Sequence, residues 1–498
     1  MGAVTIAETL ALEADAMRSG WSEEQLLDLA GERLGEAIGR YFSNAGTAVA
    51  YLGKGHNAGD TLVALRILRD RYGWEIAIRN AHPVRDCAPL TQEKWRELGF
   101  LEPLENSPSP VDTGRPLLLL DGLLGSGAKG PLRETHSKLT AEMNSLRKQG
   151  GAVVAAVDLP SGTDPDTGES SPGAVIADIT FMIGNAKRGL LSGRAAERAG
   201  ALAIVPVEPL TAGAAGDMEL ICPQSLHFGK APRPFDFHKG DAGRIAILAG
   251  SESYAGAAVL AATGALRGGG GLVTLFVPTS IKDLVRAKCP PEVIVRACED
   301  PRELLEVRMD SLVVGCGLGE LTAGQAEGLL ELLAGIPAPV VIDADALNLI
   351  ARSGRLEILK VSHVITPHPG EFARLAPELK DAPREDAARR FAERTPATLL
   401  LKGSRTIVTR QGQPLYCNST GSPAMASGGQ GDILAGVIGA RLASGLPPLE
   451  AACLSAWACG RAAEIALNTG GFSEESLLPT DVLNFLGPVF LDWRNARR

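Results

Sequence analysis

The sequence predicts an α/β protein of two domains, each built on a largely parallel sheet. Three observations point to it. Short apolar runs alternate with amphipathic stretches along most of the 498 residues. Several runs are apolar at every position, as strands buried on both faces of a parallel sheet are. The alternation breaks once, in a stretch of proline and small residues near the middle of the chain.

In the first half the strand candidates are Thr47–Leu52, Glu75–Arg79, Pro116–Leu120, Ala152–Val157, Asp178–Ile183 and Ala201–Val205, with helices expected over Ser22–Arg40, Thr61–Tyr72 and Leu132–Lys148. This is a Rossmann-like, doubly wound pattern. The break falls at Val207–Pro234, where Glu208-Pro209, the small residues of Thr211–Asp217 and the spaced prolines Pro232 and Pro234 read as a linker. Domains are accordingly expected over 1–215 and 225–498. A second series follows at Arg244–Leu248, Leu272–Val277, Ser311–Val314, Pro339–Ile342, His363–Thr366, Thr398–Leu401 and Thr406–Thr409. Two long helices close it, from about Gly431 to Ser444 and Leu449 to Leu467. No sequence repeat relates the halves, so they read as different domains.

Composition narrows the function. Hydrophobic residues at 45% and charged residues at 21% are globular values. Lys+Arg number 49 against 58 Asp+Glu, a net charge of −9, which argues against a general nucleic-acid binder. No apolar run approaches the roughly 18 residues of a membrane helix. The first twenty residues hold Glu8, Glu13 and Asp15 and no basic segment, so a signal peptide is not expected and a cytoplasmic protein is. Eight cysteines lie scattered with no CxxC pair, which favours reduced, buried thiols over disulfides or structural zinc. Glycine, by contrast, is abundant at 58 residues, a sign of tight turns and close backbone approach to a ligand such as a phosphate.

The first glycine-rich segment, Gly53-Lys54-Gly55-His56-Asn57-Ala58-Gly59-Asp60, follows a strand and precedes a helix. Such a turn presents backbone N–H groups to an anion. Its spacing is GxGxxxG, and Arg79 stands where a dinucleotide-binding acid would close the next strand, so a dehydrogenase reading is weak. Asp121 opens a second glycine-rich loop through Gly127, and Asp158 opens Asp158-Leu159-Pro160-Ser161-Gly162. Asp178 and Lys187 flank the next strand. A lone carboxylate at a strand end is commonly a helix cap. Several at one sheet edge suggest chemistry: oxygen ligands from Asn57, Asp121 and Ser161 for a hard monovalent cation, and Asp158 with Lys187 to move or steady a proton.

These blocks, in this order, resemble the epimerase domain of the bifunctional NAD(P)H-hydrate repair enzymes, over roughly the first 210 residues. The resemblance implies interconversion of the R and S forms of hydrated NADH and NADPH (NADHX and NADPHX). It places substrate against His56, Asn57, Ala58, Gly59 and Asp60, against Gly125, Ser126, Gly127, Ala128, Lys129, Gly130 and Pro131, and against Asp158. It implies potassium at Asn57, Asp121 and Ser161. His56 replaces an asparagine of the usual pattern and Ala58 a glycine, and Gly122 and Leu124 also depart from it. A non-catalytic first domain is therefore an alternative.

In the second half the strongest signal is Gly428-Gly429-Gln430-Gly431-Asp432 running into a helix. Glycines at a helix start make an anion hole, and an acid in the first turn can accept a proton from a hydroxyl. A helix start with a dipole-favoured acid explains Asp432 alone but not the glycines. The block resembles the catalytic signature of ribokinase-like kinases. With Phe237–Gly240, Gly315–Gly319, Asp343–Asn348, Thr366–Glu371 and Lys402–Thr406 it resembles the ADP-dependent dehydratase domain of the same bifunctional enzymes, from about Phe237 to Leu467. Gln430 and Ser427 replace common threonines.

That resemblance implies substrate contacts at Ala257, Gly319, His368 and Asp432, and adenine nucleotide at Lys402, Gly403, Ser404, Arg405, Thr406 and Gly431. It implies phosphorylation of the S hydrate's C6 hydroxyl by ADP with Asp432 as base, magnesium screening the phosphates, then elimination of phosphate to leave NAD(P)H and AMP. Asp343 and Asp345 are candidates to face magnesium, whereas His368 on its own reads as a buried, hydrogen-bonded histidine. A homo-oligomer is expected. The rival reading is an ATP-dependent kinase of a small hydroxylated molecule.

Overall fold

The apolar runs of the first half pair into one six-stranded parallel sheet. The computed structural model describes residues 2–495 apart from 43, 100, 109–115, 128–129, 212–215, 225–231 and 470. The chain divides into two compact units, one ending at Leu220 and one starting at Ile221.

In the first unit a two-residue strand β1 (Ala3–Val4) leads into α1 (Ile6–Arg18) and α2 (Glu23–Tyr41). The sheet then forms from β2 (Thr47–Leu52), β3 (Glu75–Asn80), β4 (Leu117–Gly122), β5 (Val153–Val157), β6 (Ile179–Ile183) and β8 (Ala201–Val205). The short β7 (Ala186–Lys187) lies between the last two in sequence and pairs with β1, and β9 (Met218–Ile221) runs across the boundary between the units. Sheet order is β3-β2-β4-β5-β6-β8, so the chain reverses its direction of winding between β2 and β4. Ligands of open α/β sheets bind in the crevice outside the strand C-termini at such a reversal. In register, Leu52 pairs with Gly122, Asp121 with Ala156 and Val157 with Phe181, which aligns the glycine loop, Asp121 and Asp158 on one edge. Asp178 belongs to the opposite edge. It precedes β6, pairs with Arg147 at 2.7 Å and accepts from the Val154 N–H, which makes it a brace.

Helix α3 (His56–Tyr72) packs against α2, and α4 (Pro89–Glu97), α5 (Glu134–Lys148) and α6 (Ala196–Ala199) complete the unit. α3 starts five residues before the expected Thr61. Its first turn is polar and lacks apolar periodicity, and Gly55, extended at φ −97°, caps it directly after the strand. α2 buries Leu26, Leu27, Leu34 and Ile38, each worth about 1.5–3 kcal/mol if fully buried. The linker expected over Val207–Pro234 proves structured in part, with a 3₁₀ turn at Glu208–Leu210 as well as β9.

The second unit alternates β10 (Arg244–Leu248), α7 (Ala255–Arg267), β11 (Leu272–Val277), α8 (Lys282–Lys288), β12 (Val293–Ala297), β13 (Ser311–Val314), α9 (Ala323–Gly335), β14 (Val340–Ile342), α10 (Ala344–Ser353), β15 (His363–Ile365), α11 (Pro369–Leu375), α12 (Arg384–Ala392) and β16 (Thr398–Leu401). β17 (Ile407–Thr409) and β18 (Leu415–Asn418) add antiparallel, and α13 (Gln430–Ala443), α14 (Pro448–Thr469) and α15 (Pro479–Arg494) follow. Strand order β12-β11-β10-β13-β14-β15-β16-β17-β18 puts the winding reversal between β10 and β13. Its strands are parallel through β16, and they deliver Gly250, Cys316, Asp343, Pro367 and Lys402 to one edge. Hydrogen bonds Gly250 N to Cys316 O (2.9 Å) and Lys402 N to Pro367 O (2.9 Å) tie that edge together. The core joins α7, α13 and α14 to the sheet around Trp457 and Trp493, whose rings lie 4.9 Å apart. No helix of the described residues is long and apolar enough to cross a membrane. The eight cysteines are free and seven are buried.

Candidate active sites

At the first reversal lies a cavity of about 600 Å³, walled by α1, the β2–α3 turn, the loop after β4, the start of α5 and the β6–β7 turn. Of the expected residues, His56, Asn57, Asp60, Gly125, Ser126, Gly127, Gly130, Pro131, Asp158 and Lys187 line it. Ala58 and Gly59 do not. They lie on the opposite side of α3 from the cavity: Ala58 is 1% exposed within the core, and a Cβ on Gly59 would meet Leu27 at 2.8 Å. Ala58 sits in regular helix, so replacement of a glycine there strains nothing. Ala128 and Lys129 fall outside the described residues.

Asp158 and Lys187 form a close pair, 2.6 Å from Oδ1 to Nζ. Lys187 is 2% exposed and also donates to Ile183 O at 2.7 Å, while the Ile183 N–H donates to Asp158 at 3.0 Å. Asp158 adopts φ +66°, a left-handed conformation that costs a non-glycine residue energy and recurs at functional sites. Around the pair stand Asp60 and Glu13. Burial, then the charges of Asp158 and Glu13, hold Asp60 well above the ordinary carboxylate range, and burial raises Glu13 as well. His56 meets Glu23 at 3.2 Å.

Asn57, Asp121 and Ser161 come together beneath this wall. Asp121, fully buried, accepts from Ser161 Oγ (2.7 Å), Ser161 N (2.7 Å) and Leu123 N (3.3 Å). Asn57 Nδ2 donates to Leu124 O and Val157 O. Among the described residues no cationic side chain pairs with Asp121, and burial pushes its carboxyl up to about 6. A buried carboxylate, a hydroxyl, an amide and two carbonyls are all-oxygen donors with one negative charge. That set fits a hard monovalent cation, which would offset the uncompensated charge.

In the second unit Asp432 sits in the first turn of α13. Burial and the neighbouring Asp343 push its carboxyl up to about 6, against the opposing influence of the Cys316 thiol, which donates to it, and of Lys402. Lys402 Nζ lies 2.8 Å from Asp343 Oδ1 and 3.9 Å from Glu371. Burial opposes its charge, but Asp343 and Glu371 hold it above its ordinary value. Gly431 lies close to the same pair: a Cβ would stand 3.3 Å from Lys402 Nζ and 3.5 Å from Asp343 Oδ2. Gly429 caps the helix at φ +103°, open to glycine alone without strain. Both polar atoms of the Gln430 amide are buried without a partner, leaving a donor and an acceptor for a ligand. A lysine among carboxylates beside an uncapped helix start suits a metal-bound polyphosphate.

Gly319 N donates to Asp345 at 2.8 Å, so Asp345 braces the Gly319 loop, while Asp343 caps α10 and pairs with Lys402. His368 is not buried. Half-exposed, it caps α11, accepting from Gly370 N at 3.0 Å with Glu371 answering as the other half of the capping box. Ala257 packs beside Gly317 at the start of α7. In the segment expected to meet nucleotide, Gly403 runs against the Arg384 guanidinium, Thr406 Oγ1 donates to Gly403 O, Ser404 is exposed and Arg405 is buried. Sequence reading missed Glu13, His82, Arg133 and His136 on the first cavity and the Cys316 thiol on Asp432. Only the Thr5/Glu8 capping box, a start signal for α1, was available to flag the first of these.

Fold and sites together define a two-site α/β enzyme whose second unit has a ribokinase-like arrangement of glycine turn, acid and lysine. Residues 23–189 match the family described as YjeF-related protein N-terminus, and residues 245–486 match NAD(P)H-hydrate dehydratase. The bifunctional NAD(P)H-hydrate repair enzyme Nnr of Gloeobacter violaceus is 37% identical over 487 residues, covering 91% of each chain. That of Escherichia coli is 34% identical over 477 residues, 93% of this chain and 88% of its own. A ribokinase-like superfamily protein from Enterococcus faecalis, solved as a crystal structure, is 26% identical and covers 56% of this chain and 96% of its own at a TM-score of 0.51. The chain belongs to the family of bifunctional NAD(P)H-hydrate repair enzymes.

Proposed function

We propose that this chain epimerises hydrated NADH and NADPH in the first unit and dehydrates the S form in the second at the expense of ADP. The observation that carries this is the pair of winding-reversal sites, one in each unit, each setting a carboxylate beside a lysine.

In the first cavity Asp158 and Lys187 hold and move the proton at the reacting carbon's substituents, while Asp60 and Glu13, both raised above the ordinary carboxylate range by burial, supply groups able to carry one. Gly125–Gly127 and the start of α3 give the backbone surface for the substrate. Asn57, Asp121 and Ser161 would hold potassium, which would supply positive charge under the β4 loop. In the second unit Asp432 takes the proton of the C6 hydroxyl as that oxygen attacks the terminal phosphorus of ADP. Lys402, the first turn of α13 and the 403–406 turn hold the nucleotide, and Ala257, Gly319 and His368 bound the substrate. Magnesium, when bound, would neutralise phosphate charge near Asp343. The C6 phosphate then leaves with its bonding pair and C5 gives up a proton, giving NAD(P)H, inorganic phosphate and AMP. The same reading has catalytic domains of 1–215 and 225–498 in a cytoplasmic homo-oligomer, which sedimentation of the purified chain tests.

Exchanging potassium for a large organic cation tests the first site: epimerisation should fall at least tenfold while dehydration of pure S hydrate continues. An unchanged epimerisation rate contradicts the cation assignment. Phosphate and AMP in equal amounts from ADP and S hydrate test the second site, and a stable phosphorylated product with ATP instead would favour the kinase.

A further inference from the structure

The first cavity holds charged groups that the epimerisation chemistry leaves unused. Lys54 follows the end of β2, His82 lies two residues past β3, and Arg133 and His136 begin α5; all four line the cavity. The His82 and His136 rings meet at 5.3 Å between centroids, tilted 61°. His136 is held below its ordinary pKa first by burial and then by His82, Arg133 and Lys54, which places the four within one another's electrostatic reach. The carboxylates form a separate set: Asp60 feels Asp158, Glu13 and Lys187. Among the described residues neither Lys54 nor Arg133, both exposed, has a carboxylate partner. Arg133 is moreover the N-cap of the fifteen-residue α5 and no side chain caps it, so the free N–H groups of the first turn add to the positive potential.

We propose that Lys54, His82, Arg133 and His136 form a phosphate-binding corner of the first cavity, which anchors the phosphates of the dinucleotide while its hydrated ring lies at Asp158 and Lys187. The inference rests on the epimerase reading of the same cavity and adds to it the part of the substrate that supplies binding energy. A dinucleotide offers two phosphate sources, the pyrophosphate bridge of both hydrates and the 2′-phosphate of the NADPH form alone. Arginine and lysine together suit either.

The test is the Lys54→Ala/Arg133→Ala double variant, both positions exposed, with His136→Asn as a second variant. KM for epimerisation of R-NADHX and R-NADPHX should rise about tenfold, as loss of two charge-assisted contacts implies, with kcat within about twofold and dehydration unaltered. A rise for both hydrates assigns the corner to the pyrophosphate, and a rise for NADPHX alone assigns it to the 2′-phosphate. KM within twofold of the parent for both hydrates overturns the inference. Should the parent enzyme show no epimerisation, the epimerase reading fails by itself. Calorimetry with inorganic pyrophosphate and with NADPH then decides the corner: binding lost in the double variant upholds it, and equal binding, or none to either protein, overturns it.

Discussion

Two carboxylates sit beside two lysines in this chain, and their surroundings give them different work. Asp158 is held by Lys187 at 2.6 Å and by a backbone N–H, which fixes the oxygens at which a proton is held and moved. Asp432 is pushed up to about 6 by burial and Asp343, near the optimum for a base that works at neutral pH. Asp432→Asn should lower kcat of dehydration about 10²–10⁴-fold, measured by recovery of reduced-nicotinamide absorbance from pure S hydrate. In the parent, kcat/KM for dehydration should climb with pH through about 6 and level off above it. Stability moves the opposite way. The folded carboxyl near 6 lies above its ordinary 3.8, so the folded state binds the proton more tightly than the unfolded chain. Ionisation of Asp432 therefore costs nothing below about pH 4, an increasing amount between 4 and 6, and its full value above 6. Asp432→Asn should accordingly stabilise the second unit at pH 7 by up to about 3 kcal/mol and leave it little changed at pH 4, by denaturant unfolding.

At the scale of elements, helix α3 carries His56, Asn57 and Asp60 to the cavity, and glycines on α2 set its position. A Cβ on Gly31 would come 2.4 Å from Val63 Cβ, and one on Gly35 would come 2.7 Å from Ile67 Cβ. Gly35→Val should push the helices apart, costing about 1–3 kcal/mol in thermal unfolding and raising epimerisation KM, with dehydration retained. Elements also show where the sequence was legible. Inner strands such as Val153–Val157, apolar throughout, and Ser311–Val314, apolar after its first residue, were read within a residue or so. β12 (Val293–Ala297) escaped because it is an edge strand: Val293 and Val295 are buried while Ile294 and Arg296 face water, and five residues of broken alternation look like loop. β18 (Leu415–Asn418), with tyrosine, cysteine and asparagine in four residues, carried no apolar run at all. The α1 helix was unread because its inner face is only partly buried, although it contributes Glu13 to the cavity. Site residues at strand ends were legible because topology alone gathers them. Those on helix starts far away in sequence, His136 and Arg133, had no motif to mark them.

At the scale of the whole molecule, two separate sites imply separable activities. Asp158→Ala should abolish epimerisation and spare dehydration of the S form, and Asp432→Asn should do the reverse; equal loss of both activities in either variant contradicts independent sites. The two chemistries complement each other, since hydration of a reduced nicotinamide gives both epimers and a stereospecific dehydratase alone would strand one. The most direct measurement is recovery of reduced-nicotinamide absorbance from a mixture of R and S hydrates with excess ADP, magnesium and potassium. Full recovery from both epimers is the predicted result. Recovery that stops when the S form is consumed, leaving R behind, would contradict a working first site, and no recovery at all would contradict the second.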